Sequence, residues 1–418
     1  MVALFGAALA LFAFTGAAPA SADEHSEDYA YHFIGFVKYQ GEPLEGIRMT
    51  VSGNGFDGES ISDNAGKWDL GVPEAGLYSI TLDESTLPDG VTVTDGPNPR
   101  DAEFGKTQLA VVNFFLGVGE RQVTSFSDRL IEQIFNGLNF GLMLALAAIG
   151  LSLVYGTTGI SNFAHGEMVT FGGIMTIAFS TALAWPVWAS IPMAVIVSAG
   201  LGLVLDVLLW KPLRRRGLGT VQLMIVSIGL SLALRYVFQF FIGGSTASLP
   251  GSAEDKLQFG AISLTAVSLW SMATSLVVLI GVAIWLQRTR IGKATRAVAD
   301  NPSLAAASGI NVDAVVRIIW VLGAALAGLA GVLLGYFLPG VTWDMATGIL
   351  LLMFAAVTLG GLGTAYGALV GSLVVGMFVE VSTLWIPTGI KYVGPLVVLI
   401  VVLLFRPQGI LGRKERIG

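Results

Sequence analysis

From Glu132 to Val154 the chain reads EQIFNGLNFGLMLALAAIGLSLV, an apolar run with its single charge at the head. A helix needs about 20 such residues to cross the hydrocarbon core of a bilayer. Comparable runs follow near 168–185, 187–210, 219–242, 265–287, 315–337, 347–363, 366–386 and 391–405. That makes nine, with 347–386 readable instead as one long broken hairpin. Of the 418 residues, 54% are hydrophobic and 12% charged, and the mean hydropathy is +0.74. Soluble domains carry about 25% charged residues, so a water-soluble globule is all but excluded. The expected fold is a polytopic α-helical membrane protein of about nine spans.

Charge orients the spans. Residues 23–128 hold 19 acidic and 6 basic side chains, a balance of −13, whereas 129–418 carry +7, which together give the net −6. Basic clusters at Lys211/Arg214/Arg215/Arg216, Arg288/Arg290/Lys293/Arg296 and Arg406/Arg413/Lys414/Arg416 follow the third, fifth and ninth runs. Lys and Arg on short loops mark the cytoplasmic side, not nucleic-acid binding. If all three junctions are cytoplasmic, the chain crosses twice and then four times between them, and residue 128 lies outside.

The start of the chain asks for the same side. Residues 2–14 are apolar but too short to span, and they lead into Ala20-Ser21-Ala22 and then Asp23-Glu24. Small residues at that spacing suit a signal peptidase, so residues 1–22 are expected to be a signal peptide; an uncleaved anchor is the alternative. The domains expected are then 1–22, a small extracytoplasmic β-sandwich over 23–120, a linker over 121–131, and a transmembrane part over 132–418.

Strand-like alternation marks the sandwich at His32–Tyr39, Ile47–Ser52, Lys67–Val72, Leu77–Leu82, Val91–Thr94 and Leu109–Leu116. Turn residues such as Gly41-Glu42-Pro43, Asp63-Asn64-Ala65-Gly66 and Asp89-Gly90 punctuate it. The run Gly41–Ile47, then Asp63-x-x-Gly66-Lys67-Trp68, then Pro73-x-x-Gly76-x-Tyr78 resembles carboxypeptidase-regulatory-like domains, which are non-catalytic sandwiches. The carboxylates of Phe56–Asp69 do not have calcium-loop spacing and read as solvated loop acids.

Some chemistry is excluded outright. With no cysteine there are no disulfides, thiolate metal sites or cysteine nucleophiles, and three histidines do not make a metal cage. No GxxxxGK[ST] occurs, and Gly361-x-Gly363-x-x-x-Gly367 lies inside an apolar stretch without a preceding strand, so it is not a nucleotide-binding loop. No catalytic residue, cofactor or metal is expected, and the chain does not hydrolyse ATP itself.

Function must then sit in the sparse polar residues of the membrane part, where ionisable groups are costly. Asp206 is close enough to the inner surface for a local ion pair, and Arg235 is placed to snorkel. Glu380 is the deepest, with a transport role or a helix-to-helix hydrogen bond as its two readings. Tyr155–Glu167 (YGTTGISNFAHGE) reads as a cytoplasmic turn or as a broken helix lining a polar path. Asn162, His165, Gly166, Glu167, Gly360, Gly361, Gly363 and Glu380 are the candidate path residues. For His165 a structural hydrogen bond is the competing role.

Here a family becomes visible. Phe135-Asn136-Gly137-Leu138, Ala145–Gly150, Val154-Tyr155-Gly156 and Asn162–Glu167 together resemble the opening of Liv-type permeases of ABC importers. Thr289–Ala297 with Ala305–Asp313 resembles the family's cytoplasmic loop, and Leu359–Gly371 with Arg406–Arg413 its C-terminal part. The sandwich is a departure from the usual member. The resemblance implies a second permease subunit, two cytoplasmic ATPase subunits, an extracytoplasmic substrate-binding protein, and branched-chain amino acids as the commonest substrate. Urea and short amides are carried by close relatives. An ATP-independent carrier or channel is the alternative of a different class, although no convincing internal repeat is visible.

The loop has a mechanical reading too. Lys293–Ala299 and Ser303–Ser308 are helical pieces broken at Asp300-Asn301-Pro302, because a residue before proline avoids the α conformation. Pro302 can start the second helix with Asp300 or Asn301 as its cap. A short helix ending at Gly309 is what an ABC permease inserts into a groove of its ATPase, with Ala305 and Ala306 allowing close approach.

Overall fold

The computed structural model describes residues 29–39, 41–104, 108–118, 125–251, 256–259, 262–386, 390–405 and 409–410. The expected leader and the last basic cluster lie outside the described residues. The chain divides into two compact units, Met1–Ser125 and Phe126–Gly418.

The first unit is built of strands. One sheet has the order β5 (Phe56–Ile61), β4 (Arg48–Gly53), β7 (Leu77–Leu82), β9 (Arg100–Glu103); a second has β10 (Leu109–Val111), β1 (Tyr31–Phe36), β6 (Lys67–Val72). Short pairs β2 (Lys38–Tyr39) with β3 (Glu42–Pro43), and β8 (Val91–Asp95) with β11 (Phe115–Val118), complete it. Inward residues of both sheets meet in one core around Phe33, Met49, Val51, Trp68, Leu70, Tyr78 and Ile80. Alternation of buried and exposed positions along β4 and β7 is what a half-buried strand requires.

Two expectations are corrected here. Phe56–Ile61 is a strand, not a loop of solvated acids: Asp57 and Glu59 point outward from β5, paired with Ser52 and Thr50 of β4. The hairpin turns at Asn54-Gly55, both at positive φ, which is the turn geometry that matches strand twist. The expected single strands His32–Tyr39 and Leu109–Leu116 are each split, at Val37 and at 112–114, where buried Val37, Val112 and Phe114 turn into the core.

In the second unit every apolar run is a helix, but not every helix is long. Those long and apolar enough to cross a membrane are α1 (Phe126–Thr158), α3 (Val187–Leu205) continued through a π-helical turn Asp206–Trp210 into α4 (Lys211–Arg215), α5 (Thr220–Ile242), α6 (Ala266–Arg288), α9 (Val312–Phe337) and α11 (Ala365–Ser382). That gives six among the described residues. Shorter apolar helices are α2 (His165–Ile177, extended by a π-helical turn Ala178–Ala182), α10 (Ala346–Gly360) and α12 (Val393–Phe405). Between α6 and α9 lie α7 (Arg290–Asp300) and α8 (Pro302–Ala307), and a hairpin of β12 (Lys256–Phe259) and β13 (Ile262–Thr265) precedes α6. At 1.5 Å per residue α10 measures only about 22 Å, short of a hydrocarbon core of about 30 Å.

α1 is the centre of this unit, buried along most of its length. α11 and α9 pack antiparallel to it: Gly137 and Gly141 face Gly376 and Leu373, and Gly150 faces Gly323. Water provides no hydrophobic drive between helices in lipid, so close backbone approach at small residues supplies the packing. Among the tightest approaches is that of α10 to α11, where a Cβ on Gly360 would overlap the Gly367 carbonyl. Peripheral α3, α5 and α6 expose Ile196, Phe240 and Trp270, as lipid-facing helices do.

Candidate functional site

α1 ends at Thr158, and Gly159, at φ +70, turns the chain back. Instead of starting a helix at once, residues 159–164 run back beside α1 in non-helical form, with Ile160, Asn162 and Ala164 buried. Serine side chains satisfy their backbone: the Phe163 N–H donates to Ser227 Oγ, which donates in turn to the Ser161 carbonyl at 3.3 Å. α2 begins only at His165, whose Nε2 lies 3.0 Å from the Ala147 carbonyl. Ala147 is eleven residues above the end of α1, about 16 Å along it. The N-terminus of α2 therefore lies deep in the helical unit. Tyr155–Glu167 is thus more than a turn at the surface; it is a helix end, an extended return and a helix start.

Glu167, in the first turn of α2, is 1% exposed and accepts from Ser231 Oγ at 2.8 Å and Arg235 Nη2 at 3.0 Å, both on α5. Arg235 does not snorkel, as its position in the sequence led one to expect. A buried carboxylate one helix away holds it, because two opposite charges taken out of water are tolerable only as a pair. Asn162 accepts from the Ala164 N–H at 3.1 Å and is fully enclosed. Gly166 is buried beside them.

The second candidate segment lies elsewhere in the unit. Gly360 ends α10, Gly361 and Gly363 take φ +113 and +77, and α11 restarts at Ala365. Gly363 meets Gly156 of α1 closely, and Ser152 Oγ donates to the Thr364 carbonyl at 3.1 Å. So both breaks flank the lower half of α1, though they do not touch through polar side chains. Glu380 stands apart near the end of α11, paired with Lys391, eleven residues on, at 2.8 Å.

The loop between α6 and α9 has the expected build. Asn301 Oδ1 accepts from the Leu304 N–H at 2.9 Å and caps α8, Pro302 occupies its first position, and Gly309 ends the segment at φ +83. One detail differs. Ala305 packs inward on Val298 and Val315, while Leu304, Ala306 and Ala307 face out. Leu304, 65% exposed, is the largest apolar group on that face. Asp300, last residue of α7, is exposed beside the cap.

Comparison with known proteins gives this geometry a family. The model of the branched-chain amino acid transport system permease component matches residues 133–403. The chain belongs to that family. The high-affinity branched-chain amino acid transport system permease protein LivH of Salmonella typhimurium is 32% identical over 298 residues, 68% of this chain and 96% of the relative. BraD of Pseudomonas aeruginosa, named for the same transport, is 32% identical over 302 residues with the same coverages. The ribose import permease protein RbsC of Escherichia coli is 28% identical over 259 residues, 59% of this chain and 76% of the relative.

As a permease, the chain holds one further polar centre that sequence reading found only in part. Asp206 is fully buried at the π-helical turn, 2.7 Å from Arg214 and 3.9 Å from Arg317 of α9. A local ion pair was expected there. The participation of Arg317, more than a hundred residues on, had no sequence signal. Trp210 and Trp320 stack beside it at 5.3 Å.

Proposed function

We propose that this permease is the membrane subunit of an ABC importer that takes branched-chain amino acids into the cytoplasm, with ATP hydrolysed by separate subunits. The observation that carries the proposal is the capped helix α8, with an outward face of Leu304, Ala306 and Ala307, in a chain that spans almost the whole length of named branched-chain permeases. Such a face suits a groove on an ATPase. A second permease subunit, two ATPases and an external binding protein complete the assembly in this reading. The broken segments at Asn162–Glu167 and Gly360–Gly363 line or gate the route, where half-helix ends present backbone dipoles to a polar solute. Glu380, paired with Lys391, is assigned a structural role.

Orientation follows the charges. The strand domain lies outside, after a cleaved leader, and the basic junctions lie in the cytoplasm. A single cysteine at exposed Asp89 should label in intact cells, and one at exposed Arg216 only after permeabilisation. Labelling of both from outside would reverse the assignment. The substrate is tested by a thermal-shift screen of the cognate binding protein against leucine, isoleucine, valine, urea, short amides and ribose. Stabilisation by the three branched-chain amino acids supports the proposal, and a response to urea, amides or ribose alone replaces it.

A further inference from the structure

We infer that Glu167 and Arg235 are a recognition point for the two charged groups of a zwitterionic solute during its passage, Arg235 taking the carboxylate and Glu167 the ammonium. The inference rests on the importer reading above and names residues that act on the solute within it.

Burying Glu167, 1% exposed, with most of Arg235, 20% exposed, is expensive, and replacing such a pair with apolar groups commonly leaves a protein as stable or more so. A pair at this depth therefore needs a reason other than stability. Ser231 lies eleven residues into α5 and Arg235 fifteen, about 16 and 22 Å from its start, so Ser231 stands at the middle of this apolar helix and Arg235 one turn beyond. No covalent neighbourhood explains it: the partners are 68 residues apart on separate helices. Glu380 and Lys391, by contrast, are only eleven residues apart in the chain.

The pair also has spare bonding capacity of the right kind. Glu167 Oε2 and Arg235 Nε are both buried without a hydrogen-bond partner, one an acceptor and one a donor. An ammonium donates and a carboxylate accepts, so a zwitterion supplies what each lacks. Arginine suits a carboxylate because its planar fork can bond both oxygens. His165 Nδ1, two residues before Glu167, is a third buried polar atom without a partner. No side chain caps the start of α2, and its dipole favours a carboxylate there.

The seam around the pair is polar as well. The buried residues of α5 are Leu223, Ser227, Ser231 and Phe238, and both serines bond to the 161–167 segment. This seam joins α5 to the broken helix through groups that can exchange partners with a solute. In this structure Arg235 Nη2 donates to Glu167 Oε1, and Oε2 and Nε are the atoms left for the solute.

The test is a charge swap in the complete reconstituted importer. Glu167→Gln and Arg235→Gln are each expected to lower leucine uptake at least about ten-fold, while ATP hydrolysis stimulated by the loaded binding protein stays near wild type. Glu167→Arg with Arg235→Glu restores the pair with its ends exchanged; it should recover the melting temperature and leave uptake lost. Recovery of uptake in the swap, or normal uptake in both single variants, overturns the inference and makes the pair a staple. If the swap does not accumulate in the membrane, Glu167→Asp and Arg235→Lys replace it. Each keeps its charge but moves it; normal uptake in both overturns the inference, and loss with normal ATP hydrolysis supports it. Failure of the wild-type assembly to take up leucine counts against the importer reading instead, and the two failures are thereby distinguishable.

Discussion

Lys211 Nζ lies 3.1 Å from Asp313 Oδ2, an ion pair that joins α4 to the first turn of α9. Arg215 reaches the same oxygen at 3.2 Å. One turn further in, Asp206 holds Arg214 and stands 3.9 Å from Arg317. The helix entered directly from α8, through the Asn311 cap, is thus tied to the α3–α4 helix by charge. In the proposed importer, these pairs would carry a push on α8 to the α3–α4 helix.

Asp313→Ala removes the shared carboxylate and leaves Lys211 and Arg215 facing one another. Asp313 is 44% exposed, so the stability cost should not exceed about 1 kcal/mol. Transport should suffer more than stability does. The expected result is a nearly unchanged melting temperature with less leucine moved per ATP hydrolysed, measured together in proteoliposomes; an unchanged ratio would show that this link carries no coupling.

Ala306→Arg changes an outward position of α8, so the permease should still fold and insert. Its bulk and charge enter a contact built for a methyl group, by the same logic as an overpacked core, where the cost is about 1–3 kcal/mol. Co-purification with the ATPase subunits should weaken and uptake should be lost. Retained association and uptake would place the ATPase contact elsewhere.

Gly360→Ala tests the packing of the second break. The added methyl would overlap the backbone of Gly367, which cannot rotate aside as a side chain can. A loss of about 1–3 kcal/mol is expected, read as a lower melting temperature in detergent. Gly361→Leu adds strain at φ +113 and should abolish uptake as well. Normal transport in that variant would remove the segment from the route.

Much of this was legible beforehand, for reasons that differ by residue. Each long helix declared itself because lipid demands unbroken apolar length, whichever face it presents. The α8 cap was readable because Asn301-Pro302 acts locally. Strand β5 was not, since Phe56–Ile61 carries two acids and two small polar residues; its one signal was Asn54-Gly55, a hairpin turn pair. The Glu167–Arg235 and Asp206–Arg317 contacts were invisible because they depend on helix register across the bundle. Composition marked Glu167 and Arg235 as costly, yet did not say that each offsets the cost of the other.

His165→Gln keeps a donor that can reach the Ala147 carbonyl, so uptake should remain within a few-fold of wild type. His165→Leu loses that bond while the Ala147 carbonyl keeps its bond within α1, so the cost should be about 0.5–1.5 kcal/mol. A lower melting temperature for Leu than for Gln is the expected order. Abolished uptake in the Gln variant at normal stability would give the imidazole a direct part in transport.

The central claim is ATP-driven import, and uptake of labelled leucine into proteoliposomes tests it most directly. The permease, its partner permease and the ATPases are reconstituted together, with ATP on the ATPase side and the binding protein on the other. Accumulation that requires both ATP and the ATPase subunits is the result predicted. Leucine uptake by the permease alone, driven by a proton or sodium gradient and indifferent to ATP, would contradict it.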